Sequence, residues 1–314
     1  MTWVEQLRAH EAVCRRAPSA HNTQPWQPEY HADRIVINVD PARSLPDSDP
    51  TGRDLGLGIG AFVETCLIVA ADLGLNVTAA PGPHLVAATH PYPTPFTIED
   101  IEARRVARGR YATGPINAAA LADLEPGFVH LPTRDLASEL VVADRWQFGT
   151  PAVAVELRDW LRLDPHHPRY HLDGLTDRAL VLSRFEARFL AAALRAYPVT
   201  RRLGLAALLA ASGRGLLRYD GSVLVMLADG DDHITAGRRL LRSWLTLARH
   251  YLAVHPLSQL IDCPVTAARL AERVGGQPLA AFRVGRPLTE PTRSARLPPE
   301  SRVAKARRSD RRIS

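Results

Sequence analysis

Between Pro18 and Pro25 the chain places Ser19, His21, Asn22, Thr23 and Gln24, and Trp26 closes the run. Proline fixes φ and pushes the residue before it out of the helical region, so residues 16–26 read as a stiff, polar, non-helical loop. Hydroxyl and amide groups on such a loop suit a site that hydrogen-bonds the edge of a flat polar ring. Further along, Arg104 and Arg108 sit in the string RRVARGRY, and Arg293 and Arg296 sit in RSARLP near the end. Guanidinium forks match phosphate oxygens, and with Lys305 the only lysine, every other cationic role falls to arginine.

Other groupings carry less chemistry. The string GLGIGA at 56–61 satisfies a loose dinucleotide fingerprint, but it follows no strand pattern and lacks an acidic residue about 20 positions on. Its glycines instead predict a close approach by another element. His166, His167 and His171 cluster in a polar loop without the supported geometry that a metal needs, so no metal site is expected. Asp47, Asp49 and Arg53 precede a helical pattern and suit capping and local ion pairing.

These residues need elements to hold them. Apolar spacing predicts a helix over 2–16, stopped by Pro18, and alternation predicts a strand over 34–39. A turn-rich stretch leads to a long helix over 54–73, ended by Gly74, and strands follow at 77–79 and 85–89. Beyond the bend PYPTP at 91–95, helices are expected at 97–107, 117–124, 134–146 and 151–163. A loop spans 164–174 and a helical run 183–211. A buried strand at 222–228, a helix at 235–254 and a last strand at 279–284 complete the pattern. The two parts echo each other, each with a long Ala/Leu-rich helix and strands nearby.

Bulk properties set outer bounds. A chain of 314 residues, 46% hydrophobic and 23% charged, can bury a sizeable core. No apolar run is expected to span a bilayer, and residues 1–8 lack a signal peptide's apolar centre, so a cytoplasmic protein with no membrane partner is expected. Cys14, Cys66 and Cys263 show no paired spacing, and no disulfide framework is expected. Residues 302–312 hold six cations and one anion, which leaves the rest of the chain near +1 out of a total of +6. With no aromatic residue to stack bases, this tail reads as a disordered solubilising end, and no nucleic-acid partner is expected.

The string at 16–26 resembles the signature of the nitroreductase superfamily, whose members carry flavin mononucleotide (FMN) at the edge of this loop. Residues 104–111 are similar to the family's Arg-x-Ser-x-Arg-x-aromatic opening, with Val106 where the family has Ser or Thr. Residues 293–298 are similar to its C-terminal basic segment, with Arg293 and Arg296 both candidates. Ala236–Ala248 with Pro256–Gln259 resembles its core helix and following loop. The polar loop precedes the arginine string by about 85 residues, the reverse of ordinary nitroreductases, which looks like the Acg subgroup: one chain folded as a pseudo-dimer. Residues 157–162 and 173–175 resemble that subgroup's flavin-covering insertion.

The resemblance implies an α+β nitroreductase-like fold, with a central, mainly antiparallel sheet flanked by helices and built from two tandem related halves. The halves would be 1–95 and 96–298, with a lid at about 146–177 carrying Trp146 and Trp160, and a basic tail at 299–314. It implies FMN contacts from Pro18, Ser19, Ala20, Asn22, Gln24, Arg104, Arg108, Ser258, Arg293 and Arg296. NAD(P)H would be the reductant and an electron-poor nitro compound or quinone the small-molecule acceptor, in a monomer with an internal pseudo-dimer or in a homodimer. Two alternatives stay open: an FMN storage protein, and a flavin-dependent dehydrogenase of natural-product biosynthesis.

Overall fold

A computed structural model describes residues 1–299; the basic tail, Pro299 apart, lies outside the described residues. The strands are β1 (Trp26–Tyr30), β2 (Arg34–Val39), β3 (Val77–Ala80), β4 (His84–Ala87), β5 (Phe128–Pro132), β6 (Leu161–Arg162), β7 (Leu175–Thr176), β8 (Ser222–Leu227), β9 (Ala253–Pro256) and β10 (Pro278–Gly285). The protein is α+β, but one central sheet gives way to two four-stranded ones, ordered β1-β2-β4-β3 and β5-β8-β10-β9. Every pairing within them is antiparallel, while β6 and β7 form a separate short parallel pair. Both large sheets therefore run first-second-fourth-third in their own chain order. Each also has a long helix between its second and third strands, Arg53–Asp72 in one and His233–Arg249 in the other.

The two helices occupy the middle of the molecule because glycine lets them touch. A Cβ on Gly60 would strike the Ile234 carbonyl, and one on Gly237 would strike the Leu57 carbonyl. Each helix packs on its own sheet and lends residues to the other core. Phe62, Leu67 and Ile68 join Ile35, Ile37, Val77 and Leu85, together with Leu241 and Leu245 from the second helix. Leu240, Trp244 and Leu247 join Leu224, Met226 and Phe282, together with Leu57 from the first. The expectation about bilayer-spanning runs needs correction here. Arg53–Asp72 has 20 residues and is apolar enough to cross a membrane, yet it is buried along most of its length between sheet and helix.

Local departures have local causes. The first helix breaks into Trp3–Ala9 and Glu11–Cys14 at His10, whose backbone leaves the helical region. The helix expected over 97–107 ends at Ala103, because Val106 bridges to Val254 and pulls the arginine string into an extended line along β9. Strands β1 and β5 carry Pro28 and Pro132 and lie at sheet edges, where a missing N–H is tolerated. Between β5 and β8 runs a long insertion with helices Ala137–Gly149, Pro151–Trp160, Arg184–Arg195 and Leu205–Ser212.

Arms of the chain cross between the two sheets. After β4 the chain crosses to the second sheet, where the Ala107 N–H donates to the Val254 carbonyl at 2.9 Å. After β10 it crosses back, and the Leu297 N–H donates to Gln24 Oε1 at 2.8 Å.

Candidate functional site

A cavity of about 440 Å³ opens where these arms meet the two central helices. On one side stands the polar loop. His21, Asn22 and Gln24 all have positive φ, at 47°, 57° and 55°, a conformation that non-glycine residues adopt at a cost and that clusters at functional sites. A network holds it there. Ser19 Oγ accepts from the Gln24 N–H at 2.9 Å, and Asn22 Nδ2 donates to the carbonyls of Gly174 and Ala295 at 3.2 Å each. Gln24 Nε2 donates to the Leu172 carbonyl at 2.9 Å, and Arg43 Nη1 donates to the Thr23 carbonyl at 2.6 Å. Below the loop, Trp26 stacks on Phe62 with ring centroids 4.9 Å apart.

Asp173 anchors the facing segment. Its buried carboxylate takes Arg43 and Arg162 at 3.1 Å each and also pairs with Arg169. Burial opposes its charge, but the hydrogen bonds from Arg169 and the other cations hold it below the usual carboxylate range. Gly174 follows with φ +74, and a Cβ there would press on the Trp160 carbonyl at 2.5 Å.

Opposite the loop stand arginines without acids. Arg104 is 7% exposed, donates to the Arg16 carbonyl at 3.0 Å and lies 5.9 Å from the Trp244 ring centroid. Arg16 donates to the Ser294 carbonyl at 3.2 Å. Arg296 donates to Asn22 Oδ1 at 2.8 Å and to the carbonyls of Arg15, Arg16 and Ala17. The Arg108 carbonyl accepts from Arg283 Nη2 at 3.0 Å, but its guanidinium has no hydrogen bond or ion pair among the described residues. Burial, with neighbouring guanidinium groups, pushes Arg16 and Arg104 down to about 10. Burial alone lowers Arg108 to about 10, while the same causes push Arg296 well below its ordinary value. Four cations thus face one cavity with no carboxylate bonded to them, an arrangement that an anion of two charges would relieve.

The remaining wall is mixed. His21 and His255 are held neutral mainly by burial, His21 at about 4, and each keeps a buried Nδ1 without a partner. Asp54 and Asp262 share Arg53 Nη2 at 2.7 Å each, and burial with the Asp54 charge raises Asp262 to about 8. The insertion contributes Gln147, Phe148, Leu157, Leu161 and Leu175, followed by Leu180, Leu182 and Leu190.

The structure therefore brings Pro18, Ser19, Ala20, Asn22, Arg104, Arg108, Ser258 and Arg296 to one cavity. Gln24 and Arg293 do not line it. Gln24 is fully buried and fastens three chain segments, while Arg293 pairs with Glu102 on the far side of its arm. Trp146 packs with Leu136 and Leu140 in a separate core, and Trp160 lies between Arg43 and Arg162, so neither of the expected tryptophans reaches the wall. Arg16, His21, Asp54 and Asp262 were not anticipated as wall residues. Arg16 and His21 belong to the polar string itself and could have been found there, whereas nothing local marks Asp262.

Over 70 residues the chain is 36% identical to Rv3131 of Mycobacterium tuberculosis, a protein whose name provisionally makes it an NAD(P)H nitroreductase. Over this stretch the chain is similar to proteins named as nitroreductases. A second relative in that organism, the acg protein, carries the same provisional description and is 30% identical over 86 residues. The matched stretches cover 22% and 27% of this chain and 20% and 26% of the relatives. The alignments thus span about a fifth to a quarter of the nitroreductase relatives. No family model matches the chain.

Proposed function

We propose that this chain is an FMN-dependent oxidoreductase of the nitroreductase type, which passes electrons from NAD(P)H to an electron-poor nitro compound or quinone. The observation that carries the reading is the group of acid-free arginines facing a strained polar loop across one cavity. The donor set fits FMN: guanidinium groups for a phosphate at one end, hydroxyl and amide groups for a ring edge at the other, and orphaned imidazole nitrogens between. When bound, FMN would supply reversible two-electron transfer.

The chain's own residues supply orientation. Arg16, Arg104 and Arg108 would hold the phosphate. Arg296 spends its donors on Asn22 and four backbone carbonyls, so its task is to lock the loop to the last arm while adding charge. Ser19 Oγ already accepts from Gln24, which leaves its proton free to donate toward the ring edge. Phe148, Leu157, Leu161, Leu182 and Leu190 make an apolar wall that excludes water and suits a flat, apolar acceptor. The shared strand order of the two sheets supports two tandem halves, 1–95 and 96–298, in one pseudo-dimeric chain.

The same wall favours a second reading, in which the insertion closes over FMN and the protein stores it. One experiment tests both. The chromophore of the purified or FMN-reconstituted protein is released by heat and identified by chromatography, and the holoprotein is mixed anaerobically with NADPH or NADH. FMN that bleaches and is reoxidised by a quinone is the expected result. FMN that stays oxidised supports storage, and FAD, haem or no retained chromophore defeats both readings.

A further inference from the structure

The insertion has a second apolar face that the cavity does not use. On its inner side Ala187, Ala193, Leu194 and Tyr197 are buried, and Leu190 lines the cavity. On its outer side Phe185 is 79% exposed, Phe189 48%, Val199 62% and Leu203 81%. With Ala192 and Ala196, also exposed, these positions recur at alternating spacings of four and three, so they form one outward stripe along the run. A surface helix ordinarily turns polar residues to water on this side.

An arginine directly precedes four of the stripe positions: Arg184, Arg188, Arg195 and Arg202. All four are exposed, as is Arg201, and none has an ion-pair partner among the described residues. The only acid in residues 183–213 is Glu186, which closes the capping box of its own helix with Ser183. A row of phenylalanine and leucine beside a row of arginines is the composition of helices that lie in a lipid interface. There the apolar face enters the acyl boundary, and the guanidinium groups reach up to phosphate headgroups. A second copy of the chain fits less well, because a two-fold contact through this face would bring the two arginine rows together.

We infer that residues 181–208 form a docking face for an anionic lipid bilayer. This departs from the expectation, drawn from the lack of a spanning segment, that the protein has no membrane partner. Val181 and Leu208, near the two ends of this run, are also exposed, at 57% and 54%. Leu182 and Leu190 of the same segment, with Leu180 just before it, line the cavity, so a bilayer held here would lie against the outside of the cavity wall.

The test is flotation of the full chain with vesicles of phosphatidylcholine alone and of phosphatidylcholine with phosphatidylglycerol. Binding is expected to the anionic vesicles only and to weaken as salt is raised. The double variants Phe185→Ser/Phe189→Ser and Arg188→Gln/Arg202→Gln should each lower the bound fraction by about tenfold or more. Both pairs are exposed, so the circular dichroism spectrum should not change, and Val265→Ser, at an exposed position on another helix, should bind like the parent. The inference falls if neither vesicle type floats the parent. It also falls if the face variants float as well as the parent, which would assign any binding to the basic tail. A concentration-dependent dimer in sedimentation, abolished by the Phe185→Ser/Phe189→Ser pair, would show that a second copy covers the face instead.

Discussion

The central helix pair has two polar flanks, and they treat their arginines in opposite ways. On the cavity flank, Arg16, Arg104 and Arg296 meet carbonyls and an amide, the Arg108 guanidinium meets neither, and none of the four meets an acid among the described residues. On the other flank every arginine has one. Glu64, fully buried, takes Arg238 at 2.9 Å and Arg242 at 3.2 Å, with Tyr92 Oη donating to it at 2.8 Å. Arg242 also pairs with Glu125 at 2.8 Å, and Arg249 pairs with Asp100 at 2.7 Å. The paired helices of two sheets with the same strand order thus carry one neutralised flank and one that is short of negative charge. The paired flank ties the two sheets' central helices and the following segments together, whereas an anion would relieve the unpaired one. Counting arginines would miss the distinction, which lies in what each guanidinium touches.

The largest effect that could break this comparison is on the paired flank. Glu64→Gln leaves Arg238 without an acid, removes one of Arg242's two, and should cost about 3–5 kcal/mol of stability, read from urea denaturation. Its effect on FMN affinity should be small. A variant that loses flavin while keeping its stability would mean that the flanks are not separate.

On the cavity flank the order reverses. Arg104→Ala and Arg108→Ala should each weaken FMN by about 1.5–3 kcal/mol, roughly ten- to a hundredfold, in a flavin fluorescence titration. Stability without ligand should hold or rise, since each change removes a cation from a like-charged group. Unchanged affinity in both variants would place the phosphate elsewhere.

The smallest effect is in the pH profile. Asp262 holds its proton in the folded state up to about 8, far above its unfolded value, so the folded state binds more protons than the unfolded one across that range. Its contribution to stability therefore falls as pH rises toward 8. His21, held neutral down to about 4, works the other way and only below its ordinary value near 6.5. Between about 6.5 and 8 the decline should come chiefly from Asp262. Asp262→Asn should flatten the melting temperature over that window, and an unaltered slope would refute the assignment.

Local sequence was enough for features whose causes are local. Proline spacing marked the 16–26 loop, and Asn117 caps its short helix through the Ala120 N–H as its type predicts. The helix expected over 54–73 forms as Arg53–Asp72, with its glycines meeting another helix. Strands β2, β8 and β10 lie within a residue or two of where alternation and apolar runs put them. Edge strands β1 and β5 escaped because their prolines contradict a strand unless the missing N–H is known to face away from the ladder.

Direction was beyond local reading. Arg293 and Arg296 are chemically equivalent in the string, yet one turns to Glu102 and the other to Asn22. Gln24 has the type of a ring-reading residue but spends both ends of its amide on Leu172 and Leu297, far away in sequence. Trp146 and Trp160 were conspicuous by size, and the cavity wall went to smaller leucines. Residue type and spacing determined which chemistry this chain holds. Which side chains deliver it was decided by the crossing of the two arms, because a side chain's partner depends on backbone brought near by packing 100 or more residues away.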